Sequence, residues 1–362
     1  MTLKIDGNYG EGGGQILRTA LSLSCVLKKP IEIYNIRKKR SNPGLQPQHL
    51  TCVNAAKAIC EAEVLGNELL SQNLKFIPKS IKGGKYVFDV AEKKGSAGAV
   101  TLVLQTILLP LLFTQKKSEV TIKGGTHVLW SPPVHYLQQV FLPTLAQMSG
   151  NTEIELKRWG WYPKGNGEIS VKIRPLKKLK SVNLMERGAL EKVSGISAVS
   201  NLPLSIAERQ KIQAIKRLKE KDVVAEIKMV DAPAIGKGTF VFLLAKFENT
   251  VAGFSSLGAT GKRAEKVADE ACDDLFKFLE SEKALDEHLA NQIIPYVALA
   301  EGKSTFSTCK ISGHLKTNIW VVSHFLPIRF TIEGKEGHEG MITKMPFAPV
   351  PQLNLPFQHL QD

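Results

Sequence analysis

Two short runs, one near each end of the chain, carry residue types that can do chemistry. The first is Gly10-Glu11-Gly12-Gly13-Gly14-Gln15-Ile16-Leu17-Arg18-Thr19, and the second is Gly313-His314-Leu315-Lys316-Thr317-Asn318. A glycine turn that opens a helix offers backbone N–H groups to an anion. This one is not a dinucleotide-binding fingerprint, because Gln15 stands where the third glycine is needed. Three glycines can also do no more than permit a tight turn. Glu11 is therefore the informative residue: a carboxylate beside a phosphate site makes sense when a divalent metal sits between them. His314 can attack phosphorus if one ring nitrogen is free and neutral. Thr317 and Asn318 are expected at a helix start, where backbone donors face a phosphate. His324, on the following helix, and His338, in a Gly-rich tail, read as structural or solvated.

Other segments qualify the picture. No Walker A loop occurs: Gly261-Lys262 is followed by Arg263, and Gly302-Lys303-Ser304 has Val297 where the leading glycine belongs. Arg37-Lys38-Lys39-Arg40 follows a strand, at the end where αβ loops carry function, although a short basic run is most often a solvated loop. Gln105 sits among leucines and must find hydrogen-bond partners there, for structure or for a ligand.

The elements that must position these residues alternate between helix and strand. Ile16, Leu17, Ala20, Leu21, Ser24 and Leu27 recur at helical spacing, and Pro30 closes that helix. Ile31–Ile36 alternates as a strand, and a helix is expected from about Gln48 to Glu61. Tyr86–Val90 reads as a strand and Ser96 as the cap of an apolar helix over Ala97–Phe113, too short to span a membrane. A strand at Val120–Ile122, a helix from Pro133 to Gly150, and a hairpin of Ile154–Leu156 with Ile169–Ile173 follow. This gives two αβ units, near 1–80 and 81–180, and a third that begins near Asn183 and is interrupted. The interruption holds a basic helix at Ala207–Lys221, strands at Val223–Val230 and Phe240–Phe247, and a charged helix at Arg263–Leu279. The expected division is a large domain over 1–182 and 280–340, an inserted small αβ domain over 183–279, and a tail over 341–362.

The 362 residues carry a formal net charge of +14, which fits a polyanion partner such as RNA or simply a lysine-rich surface. Five cysteines with no CxxC pair argue against a disulfide framework and a structural zinc, and favour a reducing, cytoplasmic setting.

Taken together with Gly95-Ser96-Ala97-Gly98 leading to Gln105, and with His288-Leu289-Ala290-Asn291-Gln292, the two terminal motifs resemble the RNA 3'-terminal phosphate cyclases, from about Ile5 to about Phe330. The resemblance implies an α+β fold: a large domain of three repeated units, each two helices on a four-stranded sheet, with a smaller αβ domain inserted in the third. It implies an enzyme that uses ATP and Mg2+ or Mn2+ to turn an RNA 3'-phosphate into a 2',3'-cyclic phosphate through a histidine-AMP intermediate, as a monomer or homodimer. On that basis His314 is the nucleophile and Glu11 holds the metal. Gln15, Arg18, Arg37, Arg40, Gln48, Gln105, Pro132, Phe254 and the run His288, Leu289, Ala290, Asn291, Gln292 contact ATP. Gly124-Gly125-Thr126 and Ser131-Pro132-Pro133 form a wall of the site. The usual family form has Asp where this chain has Asn291. Two other readings stay open: a non-catalytic cyclase-like protein of ribosome assembly, which would lack His314, and a carboxyvinyl transferase of related fold.

Overall fold

The computed structural model describes residues 2–91 and 97–346. The chain begins β1 (Leu3–Asp6), α1 (Gly14–Leu27), β2 (Ile31–Tyr34), α2 (Pro47–Cys60), β3 (Glu63–Leu65) and β4 (Leu74–Ile77). It repeats this plan as β5 (Lys85–Asp89), α3 (Val100–Leu112), β6 (Ser118–Gly124), α4 (Val134–Tyr136), α5 (Leu142–Gln147), β7 (Asn151–Arg158) and β8 (Gly167–Arg174). A π-helical stretch, Leu137–Phe141, joins α4 to α5. The third unit opens with β9 (Asn183–Leu184). The insert follows: β10 (Leu190–Ser200), α6 (Leu204–Lys219), β11 (Ala225–Asp231), β12 (Gly238–Phe247), β13 (Val251–Leu257) and α7 (Ala264–Ser281). The third unit then resumes with α8 (Glu287–Gln292), α9 (Ile294–Leu299), β14 (Ser304–Thr308), α10 (Gly313–Phe325), β15 (Phe330–Gly334) and β16 (Gly340–Lys344).

The three sheets have one topology. Their strand orders are β1-β2-β4-β3, β5-β6-β8-β7 and β9-β14-β16-β15. In each, the first two strands are parallel and the other pairings antiparallel. The parallel first pair is joined by a helical crossover, the second helix carries the chain to the far edge strand, and a loop returns it antiparallel into the gap between them. Helices of different units pack on one another, α1 against α3 and α10, and α3 against α2 as well as α1. α3 shows why: twelve of its thirteen residues are buried, and Gln105 is the exception.

Two boundaries differ from the sequence reading. Asn183–Leu184 pairs with Thr305–Phe306 of β14, so it belongs to the third sheet and the insert proper begins at β10. Gly340–Lys344 pairs with both β14 and β15, so a division at 340 cuts a central strand. A two-residue strand lacks the period that marks longer ones, and Gly-rich turns around 334–340 hide the last. Ser96 lies outside the described residues; Ala99 occupies the N-cap of α3, with no side-chain cap.

The insert sheet, ordered β11-β10-β12-β13, carries α6 and α7 on one face. Its other face meets the second unit through Phe240 and Phe242, against His127, His135 and Trp159. Here Gly160 N–H donates to Thr126 Oγ1 (2.8 Å), and Thr126 Oγ1 and His127 Nδ1 are 2.8 Å apart. His127 Nε2 in turn lies 2.8 Å from His135 Nδ1. Burial holds both histidines neutral: His127 falls well below 6.5 and His135 to about 4. Their stabilisation is therefore complete above pH 6.5 and is lost as pH falls towards 4. We expect the thermal midpoint to drop across that window. A His135→Asn variant, which keeps an acceptor but does not titrate, should lose less over the same range; an equal loss would assign the acid sensitivity elsewhere.

Candidate active site

The loops after the parallel strands, at residues 7–13, 35–46, 125–133 and 309–312, lie at strand C-terminal ends, where open α/β sheets place their sites. The 7–13 loop turns through Gly10 and Gly12, both in the left-handed region (φ 54° and 55°) that glycine adopts without strain. A Cβ on Gly14, the first residue of α1, would collide with the ring of His49. That close approach seats α1 on the start of α2. His49 is held well below 6.5 by burial and by Arg18 and Arg37, and its Nδ1 accepts the Gln46 N–H (3.2 Å) that caps α2.

Ser312 caps α10 and accepts the Leu315 N–H (3.2 Å). The helix begins at Gly313, four residues before the start expected at Thr317-Asn318, so His314 is in its first turn, and half exposed. Its Nε2 lies 2.8 Å from Glu11 Oε2, and Arg40 Nη2 lies 4.0 Å from the same oxygen. Burial is the main influence on His314 and, with Arg18, Arg40 and His288, outweighs Glu11, so its pKa is below 6.5 and the ring is neutral. With Nε2–H donated to Glu11, the lone pair rests on Nδ1. Thr317 and Asn318 point inwards instead of capping: Thr19 Oγ1 donates to Asn318 Oδ1 (2.6 Å).

Asn318 Nδ2 donates to Asn291 Oδ1 (2.7 Å) and to its backbone oxygen (3.0 Å). Gln15 Nε2 donates to Asn291 Oδ1 (2.8 Å) and to the His314 carbonyl (2.9 Å). Asn291 therefore serves as a double acceptor, a role an amide oxygen fills as a carboxylate would. We expect Asn291→Asp to change the single-turnover rate with saturating ATP by no more than about threefold, since Oδ1 keeps both of its donors and the Nδ2 group that is lost makes no hydrogen bond among the described residues. A tenfold acceleration would show that the charge itself is used.

This network borders a cleft between the three units. Arg18 and Ser22 on α1, Gln105 and Leu109 on α3, and Gln292 and Tyr296 on α8 and α9 all line it. Each pair is spaced i, i+4, so two successive turns of the first helical segment in each unit face the cleft. Ser22 Oγ, Gln105 Nε2, Gln292 Oε1 and Tyr296 OH are buried and have no hydrogen-bond partner. Such groups are costly unless a ligand or water satisfies them. Arg18 has no carboxylate partner among the described residues, and burial and Arg37 push its pKa down. An unpaired guanidinium on a cleft wall suits an anion.

The remaining expected residues divide. Arg37, at φ 55°, donates through Nη1 to the Asn42 and Gly44 carbonyls and shapes its loop. Gln48 Oε1 accepts the Ala99 N–H (3.0 Å), tying α2 to the start of α3. The Pro132 carbonyl accepts from Thr101 Oγ1 (2.8 Å), one turn before Gln105. His288 is exposed, whereas Leu289 and Ala290 are wholly buried, so only their backbone is open to a ligand. Phe254 does not reach the cleft. It is packed in the insert's own core, 5.4 Å from Phe278, because strand alternation turns residues 252, 254 and 256 of β13 towards α7. Thr126, expected in the wall, is bonded to Gly160 and to His127, the ring that packs on Phe240 of the insert.

Asp286 escaped the sequence reading. It caps α8, accepting the His288 and Leu289 N–H groups (2.9 and 3.0 Å), and accepts the Tyr136 hydroxyl (2.7 Å). An Asp just before His288 is an N-cap signal and could have been found. Thr19, Ser22, Tyr296 and the inward turn of Asn318 had no comparable signal.

Among the described residues no group of three or more His, Cys, Asp or Glu side chains could hold a metal. Glu11 alone fits a divalent cation that takes its other ligands from substrate phosphates and water, the usual manner of Mg2+. No helix of the described residues is long and apolar enough to cross a membrane.

Three βαβαββ units around a polar axial cleft, with a neutral histidine, a carboxylate and arginines at its mouth, define a repeat-built α+β enzyme equipped for phosphate chemistry. The family model described as RNA 3'-terminal phosphate cyclase matches residues 9–332. A protein of that name from Gloeothece citriformis is 46% identical over 326 residues, 89% of this chain and 93% of its own length. Proteins of the same name from Methylococcus capsulatus (44%, covering 94% and 95%) and Pyrobaculum aerophilum (42%, covering 93% and 96%) are also similar. The chain belongs to the RNA 3'-terminal phosphate cyclase family of enzymes.

Proposed function

We propose that this enzyme converts an RNA 3'-phosphate to a 2',3'-cyclic phosphate at the expense of ATP, in the cytoplasm, through two covalent nucleotidyl intermediates. A lone-pair nitrogen of His314 attacks the α-phosphorus of ATP. The N–P bond forms, the α–β anhydride bond breaks and pyrophosphate leaves. An oxygen of the RNA 3'-phosphate then attacks the same phosphorus. The N–P bond breaks, the ring returns to its neutral form, and AMP is joined to the RNA end as an anhydride. The vicinal 2'-oxygen attacks the 3'-phosphorus, its proton passes to solvent, and AMP departs. This last step is intramolecular and needs mainly orientation.

The observation that carries this reading is His314 itself: neutral, at the head of α10, next to Glu11 and within the field of Arg18 and Arg40. Arg18, Arg37 and Arg40 supply cationic charge at the cleft mouth, where oxyanion charge develops. Gln105 Nε2 and Gln292 Oε1, a donor and an acceptor left unpaired, suit the hydroxyls and ring nitrogens of adenosine. A magnesium or manganese ion held by Glu11 and the substrate phosphates would neutralise charge on the leaving group.

Incubation with α-labelled ATP tests the reading. The protein should retain acid-labile label, and a chase with 3'-phosphorylated RNA should release it as AMP while the RNA end becomes phosphatase-resistant. A protein that binds RNA but never takes label would be a non-catalytic relative.

A further inference from the structure

The β6–α4 loop has two ends with different surroundings. At one, Pro132 is fastened to α3 a turn from Gln105, at the axial cleft. At the other, Leu129 is 62% and Trp130 94% exposed. Trp130 also has φ 58°, a conformation that bulky L-residues seldom adopt. A tryptophan so placed packs against almost nothing in its own chain.

Two further apolar side chains stand on loops tied to this one. His127 bridges Trp161, and Trp159 bridges Ala234. The residues next to those bridges, Tyr162 and Ile235, are 78% and 53% exposed. Lys164 and Lys237, both exposed, stand on the same two loops. Aromatic faces interleaved with cations are what sequence-tolerant binding of single-stranded nucleic acid uses: bases stack, and ammonium groups meet phosphates. The chain's net charge of +14 complements such a partner.

We propose that Leu129, Trp130, Tyr162 and Ile235, with Lys164 and Lys237, form the platform that holds single-stranded RNA just upstream of its 3'-phosphate, with Trp130 stacking on a base. The inference rests on the RNA 3'-end reading above and extends it to the nucleotides before the reacting end. Trp130 is two residues from Pro132, so a base stacked on it sits beside the cleft. The insert contributes one wall through Ile235 and Lys237. Because every base has a π-face, the platform takes RNA ends of any sequence.

The test is binding of a 3'-phosphorylated oligoribonucleotide of about eight nucleotides without ATP, so that no chemistry is needed. Trp159 and Trp161 are buried and Trp320 is stacked on Tyr9, which leaves Trp130 as the exposed fluorophore. Wild type should show quenching on binding, and Trp130→Ala should lose that quench. Its Kd, and its KM in cyclisation with kcat held, should rise roughly 5- to 150-fold, the loss of one base stack. Trp130→Phe should recover part of the loss. Lys164→Ala and Lys237→Ala should each make the slope of log K against log salt shallower by about 0.7. If Trp130→Ala binds RNA as tightly as wild type, the platform is excluded and the patch belongs to a protein partner. If wild type binds RNA through Trp130 yet takes no label from ATP, the platform stands and the proposed reaction falls. If wild type binds no RNA, the platform falls.

Discussion

Replacing His314 with alanine is expected to abolish covalent labelling by ATP and all cyclisation, by more than about a thousandfold, because no other group can form the N–P bond. The thermal midpoint should hardly move. His314 is half exposed and its contact with Glu11 faces solvent, where such pairs contribute little to stability. The neutral imidazole under the glycine turn, His49, is buried and engaged as a cap, and so is no substitute. Retention of label at normal stoichiometry in the variant would remove the nucleophile assignment. A pH profile adds a second check. The attacking ring must be neutral, and its pKa lies below 6.5, so the acid limb of adenylation should fall below pH 6.5. An acid limb well above that value would mean that Glu11, not burial, controls the ring.

Arg18→Met should separate activity from stability. The guanidinium lies on the cleft wall with no carboxylate partner among the described residues, so on the proposed reading it should aid ligand binding and cost stability when the cleft holds no anion. Losing a charge-assisted contact of about 1.5–3 kcal/mol should lower kcat/KM for adenylation by roughly 10- to 150-fold. The same change should raise the thermal midpoint of the ligand-free protein by about 2 °C, since a half-buried cation with no carboxylate partner among the described residues is replaced by an apolar chain of similar length. Arg18→Lys should restore less than half of the activity loss, because a point charge does not reproduce a planar fork. If Arg18→Met lowers activity and midpoint together, Arg18 is a structural residue.

Much of the proposed site is legible in the sequence because its signals are local. A glycine turn before a helical period marked Glu11, Gln15 and Arg18. A His between Gly313 and a helical run marked His314, although the start of that helix was placed too late because the Ser312 cap went unread. Turn residues and the switch between periods of 2 and 3.6 brought out the αβ units and most of the insert. Where signals were short or two-sided the reading slipped. Asn183–Leu184 is a strand only because β14 lies beside it, and Phe254 is apolar in a way that suits a ligand or a core equally.

By itself, then, the sequence determined which residue types were on hand, which segments were helix or strand, and which family pattern they follow. Each of these is set by neighbours a few positions apart. Only the tertiary structure decided which of them meet. Gln15 and His314 are joined by a hydrogen bond across 299 positions, and Thr19 and Asn318 by another over the same separation. Nothing in the local pattern specifies such a pairing, since it depends on how three sheets stack their first helices around an axis. The same packing leaves four buried polar groups unpaired in one cleft and turns Phe254 away from it. Periodicity says that a side chain has an inside face to point to; the arrangement of the units says what else is there.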